Sequence, residues 1–174
     1  MDYHIDELIS EEEIKEKVKE LADQINRDYE GKELHLIVIL KGSVFFACEL
    51  AKQLTVPVTM DFMSISSYGD GMVSAGDITV RKELDEDIHD KDVLIVEDIL
   101  DSGVTLYNLR ILLMARGPKS LKIVSLLNKK DNHKADVTLD YCGFEIPNKF
   151  VVGYGLDYAQ KHRNLPYIGV VVSD

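Results

Sequence analysis

Leu34 to Leu40 is a nearly unbroken apolar run rich in β-branched residues, and Val93 to Val96 repeats the pattern. A strand with one wet face alternates apolar and polar residues, whereas a run without alternation needs cover on both faces, as in a parallel sheet flanked by helices. The segments between the runs supply that cover. Ser10 followed by Glu13 is a capping box, and Ile14, Val18, Leu21 and Ile25 then recur at helical spacing until Gly31 ends the helix. Val44 to Leu54 reads as a second helix and Val104 to Ala115 as a third, closed by Gly117-Pro118. Val56 to Ile65, Leu121 to Leu127 and Tyr167 to Val172 read as further strands, with Val137 to Leu139 and Phe150 to Val152 as short candidates. Alternating strands and helices predict an α/β fold with a mainly parallel twisted sheet. The 174 residues, without repeat or linker, fit a single domain, 1–174.

Charge and composition narrow the function classes. The formal net charge of −11, from 31 acids against 20 Lys and Arg, opposes the phosphate attraction on which nucleic-acid binders rely, so no nucleic-acid partner is expected. Cys48 and Cys142 form no CxxC pair and are expected as buried free thiols. The five histidines show no metal-ligand spacing. Met1-Asp2-Tyr3-His4 has no basic n-region, and the longest aliphatic stretch, Leu36 to Leu40, is far below membrane-spanning length, so a cytoplasmic chain without membrane contact is expected. Gly71 to Asp77 has P-loop glycine spacing with Asp77 where a lysine is required, and Gly153-Tyr-Gly155 lacks the third glycine of a dinucleotide fingerprint. Ser66 to Asp77, with three glycines and three serines, reads as a mobile loop.

In sheets of this kind ligands bind beyond the carboxyl ends of the strands. Val93-Leu-Ile-Val-Glu-Asp-Ile-Leu-Asp-Ser-Gly-Val-Thr105-Leu106 places a buried strand, three carboxylates and a small-residue turn before a helix. The amides of Asp101 to Thr105 and the hydroxyls of Ser102 and Thr105 would face a helix start that favours an anion, and Gly103 permits close backbone approach. Glu97 and Asp98 would repel a bare phosphate, so the ligand must also bring hydroxyl donors or a hard cation such as Mg²⁺; a sugar phosphate with a free diol does both. The competing reading is that Asp101 or Ser102 only caps the helix while Glu97 and Asp98 are solvated at a strand end.

Val93 to Leu106 resembles the phosphoribosyl pyrophosphate signature of type I phosphoribosyltransferases. From Leu34 onward the chain is similar to the hypoxanthine-guanine branch of that family. The likeness is carried in order by Leu40-Lys41-Gly42, Ser67-Tyr68-Gly69, the acidic signature, Lys129, Gly143-Phe-Glu-Ile-Pro147, Lys149-Phe-Val-Val-Gly-Tyr154, Leu156-Asp157-Tyr158 and Arg163. The resemblance implies a core of about 30–140 with a small hood from about 1–30 and 141–174. It also implies Mg²⁺-dependent transfer of the phosphoribosyl group from phosphoribosyl pyrophosphate to hypoxanthine or guanine, with xanthine a further candidate, giving IMP or GMP.

By the same resemblance, Glu97 and Asp98 hold the ribose diol and the metal-bound substrate, and Asp101, Ser102, Gly103, Val104 and Thr105 cradle the 5′-phosphate. Asp101 is also the general base at purine N7. Leu40, Lys41, Gly42 and Arg163 bind the pyrophosphate end, with a cis peptide expected at Leu40-Lys41. Lys129 reads the 6-oxo group, Phe150 stacks on the base, Val151 contacts its exocyclic edge, and Asp157 is a further metal acid on the purine side. Ser67 and Tyr68 lie on a flexible closing loop, and a homodimer or homotetramer is expected. Without the resemblance, Lys129 reads as a solvated lysine, Phe150 and Val151 as strand core, and Asp157 and Arg163 as surface charges. Two other classes remain open on the sequence: an RNA-binding regulator of the same fold and a phosphoacceptor receiver domain.

Overall fold

The computed structural model describes residues 2–67 and 78–174. In chain order its elements are β1 (Tyr3–Ile9), α1 (Glu11–Asp28), β2 (Leu34–Ile39), α2 (Val44–Gln53), β3 (Val58–Ser67), β4 (Ile78–Lys82), β5 (Asp92–Leu100), α3 (Val104–Met114), β6 (Ser120–Asn128), β7 (Tyr141–Glu145), β8 (Val151–Val152) and β9 (Ile168–Ser173). A six-stranded sheet has the order β4-β3-β2-β5-β6-β7, parallel except for β4. The two ends of the chain build a second, antiparallel sheet of order β1-β9-β8.

The apolar runs behave as their lack of alternation requires. All six residues of β2 are buried; Leu36 and Val38 pack with α1 and α2, while Ile37 and Ile39 pack with α3 on the opposite face. Successive side chains of a strand point to opposite faces, so a continuous run feeds both cores. Each such side chain contributes about 1.5–3 kcal/mol on burial. α1 starts as its capping box predicts, with Ser10 Oγ accepting the Glu13 N–H at 3.1 Å. No helix among the described residues is long and apolar enough to cross a membrane.

Several expectations need correction. β5 extends to Leu100, so Glu97 and Asp98 lie within the strand rather than beyond it. Val137 to Leu139 is not a strand: Val137 is buried in the α3-side core with Ala135 and Leu139 packed against it, and the strand beside β6 begins at Tyr141. β1 and β4 were not anticipated; both are edge strands rich in polar residues, and no local pattern in them indicates their pairing to β9 and β3. Ser66 and Ser67 belong to β3, paired with Thr79 and Ile78, rather than to a loop. Tyr68 and Gly71 to Asp77 lie outside the described residues. Cys48 and Cys142 are free but exposed. Phe46, Ala47 and Leu50 take the inward face of α2, turning Cys48 outward, and Cys142 follows inward-facing Tyr141 on an edge strand.

Candidate active site

The loops after β2, β5 and β6 leave the same end of the parallel sheet. Glu97 and Asp98 occupy the last turnings of β5, flanked by β6, where Glu97 pairs with Ser125. Both carboxyls are half-buried and held above the ordinary carboxylate range. Burial is the main cause for each; for Glu97 the Asp98 charge adds to it, whereas for Asp98 the Ile99 N–H and the Arg163 charge pull the other way. Asp98 also presses on the loop after β2. A side chain at Gly42 would collide with the Asp98 carboxylate, and one at Gly155 would collide with the Gly42 carbonyl. Gly155 has φ 100°, so only glycine fits both its backbone and its surroundings. The Leu40-Lys41 peptide bond is cis, as expected.

The turn into α3 resolves the competing cap reading. The N-cap of α3 is Gly103, at φ 80°, and it offers no side chain to the helix start. Ser102 Oγ lies 3.4 Å from the Val104 N–H, a long contact. The first-turn amides therefore open toward a cleft of ≈ 230 Å³ lined by Glu97, Asp101, Ser102, Gly103 and Thr105, with Ile39, Ile65 and Leu106 as its apolar wall. An anion and an adjoining hydroxyl-bearing group suit this mixture of amides, hydroxyls and two acids, Glu97 and Asp101.

Asp101 does not cap the helix either. Its Oδ2 lies 3.3 Å from Lys129 Nζ, and its Oδ1 accepts a short hydrogen bond from Asn132 Nδ2. Lys129 is 7% exposed, so it is not a solvated lysine. Its backbone N–H is fixed on Leu100 O at 2.9 Å, and the loop beyond is stitched to the turn before α3 by Lys134 N–H to Ser102 O at 2.8 Å. Asn132, on a 3₁₀ turn Lys130–Asn132, gave no sequence signal: no motif marks it, and only the folded loop brings it to Asp101.

The third part of the site comes from the C-terminal region. Arg163 Nη1 donates to Gly155 O at 2.7 Å, and its Nη2 lies 3.0 Å from Gln160 Oε1 and 3.3 Å from Asp157 Oδ1. Lys41 Nζ reaches the same Gln160 Oε1 at 3.3 Å. Asp157, Arg163, Gly42 and Asp98 are thus drawn together around Gly155. Phe150 is 51% exposed, an aromatic ring left uncovered rather than strand core. Tyr158 meets it edge-on at 5.5 Å between centroids, and Tyr3 of β1 supports Tyr158 at 5.3 Å. Val151 is buried, its main chain paired with Val170 of β9. Gln160 and Tyr3 gave no sequence signal; Tyr158 stood only within the Leu156-Asp157-Tyr158 motif without a role, and Gly155 only as half of a false dinucleotide fingerprint.

Acidic residues are plentiful, yet among the described residues no three His, Cys, Asp or Glu side chains converge as a metal cage. A hard divalent cation at Glu97 and Asp98 would relieve two carboxyls that burial disfavours. It would draw its remaining oxygens from substrate and water, as Mg²⁺ commonly does.

Comparison with known proteins agrees with this architecture. Residues 4–159 match the family model described as phosphoribosyl transferase domain. The chain is 49% identical over 174 residues to the hypoxanthine phosphoribosyltransferase of Salmonella typhimurium, covering 99% of this chain and 98% of that one. It is 50% identical over 164 residues to the hypoxanthine-guanine phosphoribosyltransferase of Bacillus subtilis, covering 94% and 91%. A crystal structure of a hypoxanthine-guanine phosphoribosyltransferase from Bacillus anthracis, with a HEPES molecule in its active site, superposes with a TM-score of 0.93 at 47% identity, covering 99% of this chain and all of that one. Neither the receiver-domain reading nor the RNA-regulator reading finds support among these matches. A mainly parallel sheet whose strand ends carry a glycine-capped turn beside two half-buried acids, matched along nearly its whole length to such enzymes, places this chain in the phosphoribosyltransferase family.

Proposed function

We infer that the protein transfers the 5-phosphoribosyl group from phosphoribosyl pyrophosphate to N9 of hypoxanthine or guanine, giving IMP or GMP and pyrophosphate, as a purine-salvage enzyme of the cytoplasm. The observation that carries the purine assignment is the contact between Lys129 and Asp101 beside the phosphate turn. N7 and the 6-substituent lie on one edge of a purine. A carboxylate and an ammonium side by side complement the N7 proton and the 6-oxo acceptor of an oxopurine. Adenine would turn an amino donor toward the ammonium and leave it unpaired.

In this reading Asp101 withdraws the N7 proton as the base attacks the anomeric carbon, which makes the ring a better nucleophile. The amides and hydroxyls of Asp101 to Thr105 hold the 5′-phosphate, and Glu97 and Asp98 orient the ribose diol. Leu40 to Gly42 and Arg163 take the pyrophosphate end. Phe150 offers its exposed face to the base, and the main chain at Val151 meets the exocyclic edge. Glu97, Asp98 and Asp157 would hold Mg²⁺, which when bound would supply positive charge near the diphosphate leaving group. A homodimer or homotetramer is proposed as the working unit; Tyr107, Ile111 and Met114 form an exposed apolar stripe on α3 that suits burial against another copy.

Incubation with phosphoribosyl pyrophosphate, Mg²⁺ and each purine in turn, following nucleotide formation, tests the assignment. Hypoxanthine and guanine are expected to react and adenine poorly. Efficient adenylate formation would sink the role given to Lys129. Light scattering during gel filtration reads the oligomeric state, and a monomer at micromolar concentration would refute the proposed assembly.

A further inference from the structure

The segment from Tyr158 to His162 is the most strained stretch of backbone among the described residues. Tyr158 and Lys161 exchange reciprocal N–H to C=O bonds, each 3.0 Å. The two residues between them, Ala159 and Gln160, have φ of 50° and 67°. Two successive positive φ values are the geometry of a type I′ turn, which Gly and Asn enter readily and residues such as Ala and Gln do not. A strained backbone persists where surrounding contacts over-determine it. Here Asp157 Oδ2 accepts the Gln160 N–H at 2.8 Å, which fixes the turn, and the Gln160 side chain faces the proposed pyrophosphate residues.

The contacts of that side chain define what it does. Gln160 Oε1 accepts from Lys41 Nζ at 3.3 Å and from Arg163 Nη2 at 3.0 Å. The two cations come from loops far apart in the chain and repel each other. One neutral carbonyl holds both in place without adding a second carboxylate to the one Arg163 already faces, Asp157 Oδ1 at 3.3 Å from its Nη2. A carboxylate there would hold them more firmly but would neutralise the field that an incoming diphosphate needs and would itself repel the diphosphate.

We propose that Gln160 is a positioning residue for the pyrophosphate end of the substrate: its side-chain carbonyl gathers Lys41 and Arg163 before the diphosphate arrives and gives them up to it. The inference rests on the reading of Lys41 and Arg163 as pyrophosphate ligands given above.

Gln160→Gly separates the side chain from the turn, because glycine adopts the positive φ freely and keeps the N–H bond to Asp157. Its melting temperature should equal or exceed that of the parent protein. Its KM for phosphoribosyl pyrophosphate should rise about fivefold, from the cost of ordering two long side chains at binding, with the KM for the purine unchanged. Gln160→Glu should raise that KM further, and the excess should shrink as salt is added. Lys41→Ala and Arg163→Ala, assayed in parallel, should raise it most. If these two leave KM unchanged, the pyrophosphate reading fails and the proposal falls with it. If they raise KM while Gln160→Gly stays within about twofold of the parent, below the ordering cost, the pyrophosphate reading stands and the role of Gln160 is refuted. Parent-like behaviour of Gln160→Glu would overturn the argument for a neutral acceptor.

Discussion

The two acid-bearing segments of the site are built in opposite ways. Glu97 and Asp98 lie near the end of β5, a strand in the middle of the six-stranded sheet that pairs with β2 as far as Val96 and with β6 as far as Leu100, so their positions follow from the core. Asp157 sits beside an exposed hairpin with positive φ at Ala159 and Gln160, secured by a handful of polar contacts to Lys41, Arg163 and Gly155. The first segment has its geometry whether or not its side chains interact; the second has its geometry because they do. In the proposed reaction the fixed acid and the anion seat would lie on the sheet, and the groups proposed to exchange partners with a leaving group would lie on and against the hairpin.

Substitutions on the two segments should therefore fail differently. Asp101→Asn, on the sheet side, should lower kcat by about 10²- to 10³-fold, the scale of lost proton transfer, while calorimetry shows phosphoribosyl pyrophosphate binding retained. Full turnover in that variant would show that Asp101 moves no proton. Next in size is Gly155→Ala, at the junction of the two segments. The new Cβ would collide with the Gly42 carbonyl at φ 100°, so urea denaturation should show a loss of about 3 kcal/mol or more.

Gly31→Ala is its control: φ is 77° but nothing lies within 4 Å of an added Cβ. Backbone strain alone should cost about 1–2 kcal/mol there. Equal losses at the two glycines would mean that the packing around Gly155 contributes nothing.

Lys129→Ala should narrow the kcat/KM preference for hypoxanthine over adenine by roughly tenfold or more, equivalent to about 1.5–3 kcal/mol for a charged hydrogen bond. An unchanged ratio would place oxopurine selection elsewhere. The smallest effect is expected at Ser10→Ala, remote from both segments, where loss of the cap on α1 should cost about 1 kcal/mol and leave the kinetic constants alone.

Much of the sheet side was legible in the chain because its signals are local. The run Leu34 to Leu40, the capping box at Ser10 and the order of acids, glycine and hydroxyls in Val93 to Leu106 each lie within one short contiguous stretch of chain. The errors arose where partners are distant. β1 pairs with β9 across almost the whole chain, and nothing in Tyr3 to Ile9 announces that register. Val137 to Leu139 has strand composition but spends it filling the core beside α3. The cysteines were expected inside on hydrophobicity, yet the helix and strand that carry them turn other residues inward. Among site residues, Lys129 and Phe150 looked ordinary in isolation; burial of the first and exposure of the second distinguish them.

Sequence alone determined the α/β sheet, the small-residue turn before α3 and the acids ahead of it, because periodicity and turn chemistry act over a few residues; that Gly103 rather than Asp101 or Ser102 caps α3 came from the structure. Tertiary structure decided which charges meet. Lys129 and Asn132 reach Asp101 because the loop after β6 is stitched to the turn after β5. Lys41 and Arg163 meet at Gln160 because Gly42 and Gly155 let two backbones touch. Such meetings depend on the closure of long loops by a finished core, and no window of the chain contains both partners.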